Sequence, residues 1–206
     1  IKEEHYLPAF YVGCADQLAE VQAILDTPGA ATFENTIVAL EKSGQYLMRM
    51  LLVFYNKSSS DTNDALDAIE EEIAPKLAAH QDAINLNPAL FKRIKDLYDA
   101  RESLGLNSED AWLLERYYKD LIHAGAHLTE AQRARLKELN EELSSLETLF
   151  SKNVLADTND LAVLVESLSE LDGLSENEIA AAAAAAKDRG HDGKWLIGMV
   201  NFTGNP

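Results

Sequence analysis

Apolar residues recur every three or four positions through most of this 206-residue chain, and that single pattern restricts it to a helical fold. Ile37, Leu40, Leu47, Leu51 and Phe54 form one such stripe; Leu66, Ile69, Ile73, Leu77 and Ile84 form another. Phe91, Ile94 and Leu97 follow, then Trp112, Leu113, Tyr117 and Leu121, then Leu136, Leu139, Leu143, Leu146 and Phe150. A stripe of this period on one side of a helix is stabilised by packing against other helices.

The punctuation between stripes sets the expected boundaries. Pro8 suits the first turn of a helix, and Thr27-Pro28-Gly29 stops it. The next helix is predicted from about Thr36 through Phe54. Met48, Leu52 and Tyr55 widen its stripe, which predicts burial on more than one side, and Ser58–Asp61 marks the following turn. Pro75, inside the Thr62–Leu86 pattern, is expected to kink or interrupt that helix. Asn87-Pro88 opens a helix to Arg101, and Gly105 ends it. Ser108 is the expected N-cap of a helix closed by Gly125, and Thr129-x-x-Gln132 is a capping box for the longest helix. The leucines of that last helix predict packing within a helical array rather than an autonomous coiled coil.

The texture changes after Asp157. Leu161–Val165 reads as a short strand, Ser175-x-x-Glu178 as a second capping box, and Ala180–Ala186 as the body of a thin helix. Trp195–Val200 reads as another strand, expected to pair with the first or with one from sequence outside the chain. The predicted fold is therefore mainly α. It is an array of antiparallel amphipathic helices over 1–156 with a small α+β tail over 157–206, two short strands flanking an alanine-rich helix.

Eighteen Lys and Arg stand against 35 Asp and Glu, a net charge of −17. Such a surface repels phosphate backbones and anionic lipid, so neither nucleic acid nor membrane is expected as a partner. The single cysteine, Cys14, forms no internal disulfide and supplies no cysteine-rich metal site. The greasiest run, Tyr46–Tyr55, is interrupted by Arg49 and is about half the roughly 20 residues of a membrane span. The lone thiol and the lack of a leader predict a cytoplasmic protein, with the natural start of the chain expected upstream of Ile1.

No reaction centre assembles. His123 and His127 have the spacing of a helical metal pair, but Gly125 is expected to end the helix between them, and Ala124 stands where a His-Glu-x-x-His motif needs glutamate. Asp120 with His123, and Asp188 with His191, are spaced for contact but lack a nucleophile and a third group. Paired Glu-x-x-His motifs of a di-iron bundle are absent, as are phosphate-cradling glycine loops. Glu70–Glu72 reads as a solvated helix face, while Trp112, Tyr117 and Tyr118 read as core and rim. No catalytic, cofactor-binding or metal-binding role is assigned to any position.

The wording of particular segments carries a resemblance. His5–Phe10 (His-Tyr-Leu-Pro-Ala-Phe), Phe33–Gly44, Thr62–Asp64, Arg101–Ser108, Ala124–Ala126 with Leu128, and Lys194–Ile197 with Asn201 occur in order along nearly the whole chain. Together they resemble the N-terminal region of bacterial peptidyl-dipeptidases of the Dcp type, in the thimet-oligopeptidase family of zinc metallopeptidases. The resemblance implies a helical enzyme split by a deep channel with zinc at its floor. It also implies ligands from His-Glu-x-x-His and a later glutamate, the motif glutamate acting as general base on zinc-bound water. Family members of this type release dipeptides from the C-termini of short peptides.

This chain ends before that metal motif, so the resemblance implies an N-terminal fragment that forms part of the channel wall. It is expected to bind no zinc and to cleave nothing alone. Its implied partners are the C-terminal catalytic portion of the same polypeptide and, for the parent, short peptides. Self-association is expected through apolar surface left uncovered. A sibling oligopeptidase cutting internal bonds, and a free-standing helical interaction module, are the rival readings.

Overall fold

The computed structural model describes residues 1–199. The chain divides into two compact units, Ile1–Thr148 and Leu149–Pro206. Among the described residues the fold is mainly α, as the periodicity predicts.

In the first unit, a 3-10 turn, Glu3–His5, leads into α1 (Tyr6–Leu25). A π-helical turn, Glu34–Val38, runs directly into the short α2 (Ala39–Lys42). Then follow α3 (Gln45–Ser60), α4 (Asp64–Asn85), α5 (Pro88–Asp99), α6 (Ser108–Ala124) and the start of α7 (Glu130–Asp160). Two apolar cores hold α1–α6 together. The C-terminal half of α1 meets α2, α5 and α6 through Val21, Ile24, Leu40, Leu90, Ile94, Leu97, Leu114 and Leu121, with Ile37 of the π turn. Its N-terminal half meets α3 and α4 through Tyr6, Phe10, Leu47, Phe54, Leu66 and Ile73. Tyr6 packs edge-on to Phe54 with ring centroids 5.2 Å apart.

Several boundaries differ from expectation, each for a local reason. The helix predicted from Thr36 through Phe54 is two helices, because Ser43 is extended and Gly44 is left-handed at φ 69°. The left-handed backbone at Gly44 strains any residue with a Cβ, which would also have to displace the end of the Gln17 side chain 2.3 Å away. The break sends Ile37 and Leu40 into one core and Leu47 and Phe54 into the other. Met48 and Leu52 do not widen a buried stripe; they are 58% and 62% exposed. Ser58–Ser60 remain helical, the hydroxyls of Ser59 and Ser60 bonding back to the Tyr55 and Asn56 carbonyls at 2.6 Å. The turn begins only at Asp61.

Pro75 does not interrupt α4, which runs as one helix of 22 residues. Leu66 and Ile73 before it and His80 after it are buried on one heptad-spaced face. That burial offsets the ~3 kcal/mol a proline costs in a helix interior. The N-cap of α6 is Asn107, not Ser108: its Oδ1 accepts the backbone N–H groups of Glu109 and Asp110, both at 2.9 Å. Gly125, at φ 99°, closes α6, and the Ala126 N–H reaches back to the Leu121 carbonyl at 2.9 Å. The Thr129–Gln132 capping box forms as expected.

The second unit holds the rest of α7, β1 (Val163–Val165), a 3-10 turn, α8 (Glu176–Asp188) and β2 (Trp195–Ile197). The two strands pair with each other, antiparallel, Val163 opposite Ile197 and Val165 opposite Trp195. Ser175 and Glu178 make the predicted capping box. Val200 and Asn201, which the strand and the resemblance invoke, lie outside the described residues.

The leucine-rich stripe of α7 departs most from expectation. No side chain of this 31-residue helix is buried, and Leu139, Leu143, Leu146 and Phe150 are 43–70% exposed. The burial predicted for these leucines is not found among the described residues.

Candidate functional site

The residues with sequence-predicted chemistry are dispersed. His123 lies in the last turn of α6 and His127 beyond Gly125, so the left-handed cap separates the pair. Asp120 accepts from Arg116 Nε at 2.7 Å, one turn back along α6. His191 uses its backbone N–H to close α8 on the Ala186 carbonyl at 2.8 Å. Burial pushes the half-buried Cys14 thiol up to about 11, which leaves it protonated and poorly nucleophilic at neutral pH. Among the described residues no three of His, Cys, Asp or Glu come together as a metal would require, so they do not fit a zinc centre. No helix among them is long and apolar enough to cross a membrane.

The acidic run on α4 is more than a solvated face. Ser58 Oγ donates to Glu70 at 2.5 Å, tying α3 to α4. Tyr11 Oη donates to Glu72 at 2.5 Å, while Lys76 Nζ reaches both Glu72 (2.9 Å) and Tyr11 (2.6 Å). The Tyr11 hydroxyl, and then Lys76, hold the Glu72 carboxyl below its usual range. These groups staple α1 to α4. Tyr117, half-buried, donates to Glu41 at 2.6 Å, and burial, then that carboxylate, raises its phenol. Tyr118 stacks on Tyr98 at 4.1 Å, and the Arg101 guanidinium lies over the Tyr98 ring, 4.3 Å from its centroid. Trp112 belongs to neither core, being 60% exposed.

Three polar arrangements escaped the sequence reading. Arg93 donates from Nε to Thr36 Oγ1 and from Nη2 to Asn35 Oδ1, both at 2.8 Å, clamping the π turn to α5. Asn35 and Thr36 lie inside the Phe33–Gly44 resemblance, so that segment's wording has a structural reason. His80, buried on α4, bonds through Nε2 to Gln17 Oε1 at 2.7 Å, with Nδ1 unpartnered, and burial lowers its pKa. Its place seven residues beyond Ile73 and fourteen beyond Leu66 was the available signal. Asp82, also buried, receives Asn140 Nδ2 on both oxygens at 2.9 and 3.0 Å. Burial raises its carboxyl, against smaller opposing effects of Asn140 and Lys137.

Asp82 and Asn140 lie in an open groove of about 310 Å³ between α4 and α7, entirely within the first unit. A separate polar hollow in the second unit is bordered by Asn159, Asp160, Arg189 and His191, where Arg189 donates to the Asn159 carbonyl and side chain at 3.1 and 2.8 Å. These arrangements bind and position; none brings a nucleophile to an activating base.

No family model matches the chain. It is 41% identical, over all 206 residues, to a dipeptidyl carboxypeptidase of Escherichia coli strain K12. The match covers 30% of that relative and lies in its N-terminal part. The chain is a homologue of the dipeptidyl carboxypeptidase N-terminal region. A second dipeptidyl carboxypeptidase, from Salmonella typhimurium strain LT2, is 38% identical over the same span and proportion. Oligopeptidase A of Salmonella typhimurium is 26% identical over 196 residues, 95% of this chain and 29% of that relative. The chain thus spans about 30% of the length of the dipeptidyl carboxypeptidases it matches. These relatives agree with the resemblance carried by His5–Phe10 and Phe33–Gly44.

Proposed function

We propose that this chain is the N-terminal part of a zinc-dependent peptidyl-dipeptidase, which removes dipeptides from the C-termini of short peptides. Its share of the work is to shape the peptide channel rather than to cut. The observation that carries this reading is collinear identity over the whole chain, 41% to a dipeptidyl carboxypeptidase against 26% to oligopeptidase A. That gap favours release of dipeptides over cleavage of internal bonds.

The chain's own residues contribute a frame. The two cores, the Arg93 clamp and the Tyr11–Glu72–Lys76 staple hold α1–α6 in fixed register. A rigid wall excludes folded substrates sterically and costs little ordering when a peptide enters. No zinc ligand, catalytic base or cofactor contact is assigned to any residue of this chain. Zinc and the catalytic residues belong, on this reading, to the C-terminal portion of the parent polypeptide, in the cytoplasm.

The test compares the two polypeptides. A longer natural polypeptide is expected to hold one zinc per chain and to release C-terminal dipeptides until a chelator is added. The 206-residue chain alone is expected to do neither, and to bind an apolar dye through its uncovered leucines. Stoichiometric zinc with chelator-sensitive cleavage by the short chain would overturn the reading. So would a natural polypeptide with a mass of 22.7 kDa.

A further inference from the structure

We propose that the α4–α7 groove, with the leucine face of α7 beside it, is the seat of an amphipathic helix. That helix bears a basic residue and is supplied by polypeptide outside this chain. The inference rests on the proposed function, because it takes the occupant from the longer parent.

The groove's form favours a helix. Ala74 and Ala78 of α4 form small-residue ground on which another backbone can approach closely, and Leu77 and Leu143 supply apolar contact. Beside it, Leu139, Leu143 and Leu146 recur at three- and four-residue steps and stand 43–55% exposed. Two apolar strips along one groove are what the anchor positions of an amphipathic helix fill. Exposed leucines contiguous along about two turns mark an unfilled contact rather than ordinary surface scatter. Covering them removes apolar area from water, which favours docking.

Charge identifies the occupant's polar side. Asp82 lies in the groove and Glu147 on its lip. Asn140 engages both Asp82 oxygens, yet a carboxylate retains further lone pairs, and Glu147 stands exposed. A Lys or Arg on the incoming helix answers Glu147 and adds to the charge that Lys137 already sets against Asp82. A second copy of this chain brings another net charge of −17, so electrostatics oppose that occupant. The match to about 30% of the dipeptidyl carboxypeptidases leaves ample polypeptide in such relatives to supply the helix.

The experiment reads thiol reactivity on α7. In a Cys14→Ala background, Leu143→Cys is labelled with a maleimide in the 206-residue chain and in the longer polypeptide. Ser145→Cys, on the opposite side of α7, is the control. Labelling at position 143 is expected to slow by about tenfold or more in the longer polypeptide, since reaction then requires local opening. Labelling at position 145 is expected to stay the same. Glu147→Lys added to the longer Leu143→Cys protein is expected to speed labelling several-fold by repelling the basic residue.

Equal rates at position 143 in both polypeptides would overturn the docking. Protection that grows with protein concentration would assign the face to a second copy and overturn it too. No effect of Glu147→Lys would remove the basic residue from the proposal. If the longer polypeptide releases dipeptides while position 143 stays reactive, the docking fails and the peptidase reading stands. A natural polypeptide ending at Pro206 would sink both.

Discussion

Helices α1–α6 and helix α7 are built from the same sequence pattern and meet opposite fates. Leu66, Ile69, Ile73 and Leu77 on α4, and Leu136, Leu139, Leu143 and Leu146 on α7, share the same three- and four-residue steps. On α4 the stripe reaches full burial at Leu66 and Ile73; on α7 nothing is buried. Periodicity therefore reports which face of a helix seeks cover, not whether cover is present. Along α1–α6 the covering partners lie within about a hundred residues of one another in sequence. For α7, residues 1–199 supply none that buries it.

The largest effect expected from this contrast compares two phenylalanines. Phe54 is completely buried and packs edge-on to Tyr6 and Tyr55, both at 5.2 Å. Phe54→Ala should cost about 3–5 kcal/mol of unfolding free energy, as large-to-small core substitutions do. Phe150 is 70% exposed on α7, and Phe150→Ala should fall within about 0.5 kcal/mol of the parent. Urea unfolding of the 206-residue chain measures both. Similar losses at the two sites would mean that α7 is packed after all and erase the contrast.

Much of the fold was legible because local chemistry agreed with tertiary packing. Gly125, Asn87-Pro88 and the Thr129–Gln132 and Ser175–Glu178 boxes mark ends that the structure keeps. Misreadings arose where the local signal was ambiguous or overridden. The Ser43-Gly44 corner was hidden because Leu40 and Leu47 stay in heptad step across it, although they enter different cores. Pro75 carried a correct local penalty that burial on both sides outweighs. Asp82 gave little warning: it shares the Ala74–Ala78 side of α4, a face too small to read as buried until Asn140 of α7 appears opposite. Candidate chemistry was legible chiefly by exclusion, since His123 and His127 are separated by a glycine visible in the sequence.

A middle-sized effect concerns caps. Asn107→Ala should lower global stability by about 1 kcal/mol, because α6 is locked into the first core and cannot fray alone. Ser108→Ala, at the position sequence favoured for the cap, should change stability by only a few tenths of a kcal/mol. Thr129→Ala removes the corresponding group from α7, and its effect should appear as faster amide exchange in the first turn of α7, with a smaller global loss than at Asn107. Equal global losses at Asn107 and Thr129 would show that the two helices unfold as one unit.

The smallest expected effect is a pH dependence carried by the packed side alone. His80 faces Gln17 from α1, its Nε2 bonded there and its Nδ1 without a partner, and Glu20 of the same helix is engaged by the Gly44 N–H at 2.6 Å. Burial is the cause that depresses the His80 pKa below its ordinary value of 6.5. The folded state therefore binds its proton less readily than the unfolded chain does. Below pH 6.5, the unfolded state takes up that proton first, so stability should fall as pH falls through the depressed folded-state pKa and be fully regained above 6.5. Carboxylates titrate in the lower part of the same range, so the informative quantity is the difference between the parent and His80→Leu. Leucine fills comparable space without a titrating ring and leaves Gln17 short of one hydrogen bond. It should lower stability near neutral pH yet flatten its decline towards pH 5. If urea unfolding gives parallel pH profiles for the two proteins, the ring is not held neutral by burial, and His80 carries no titration-linked stability.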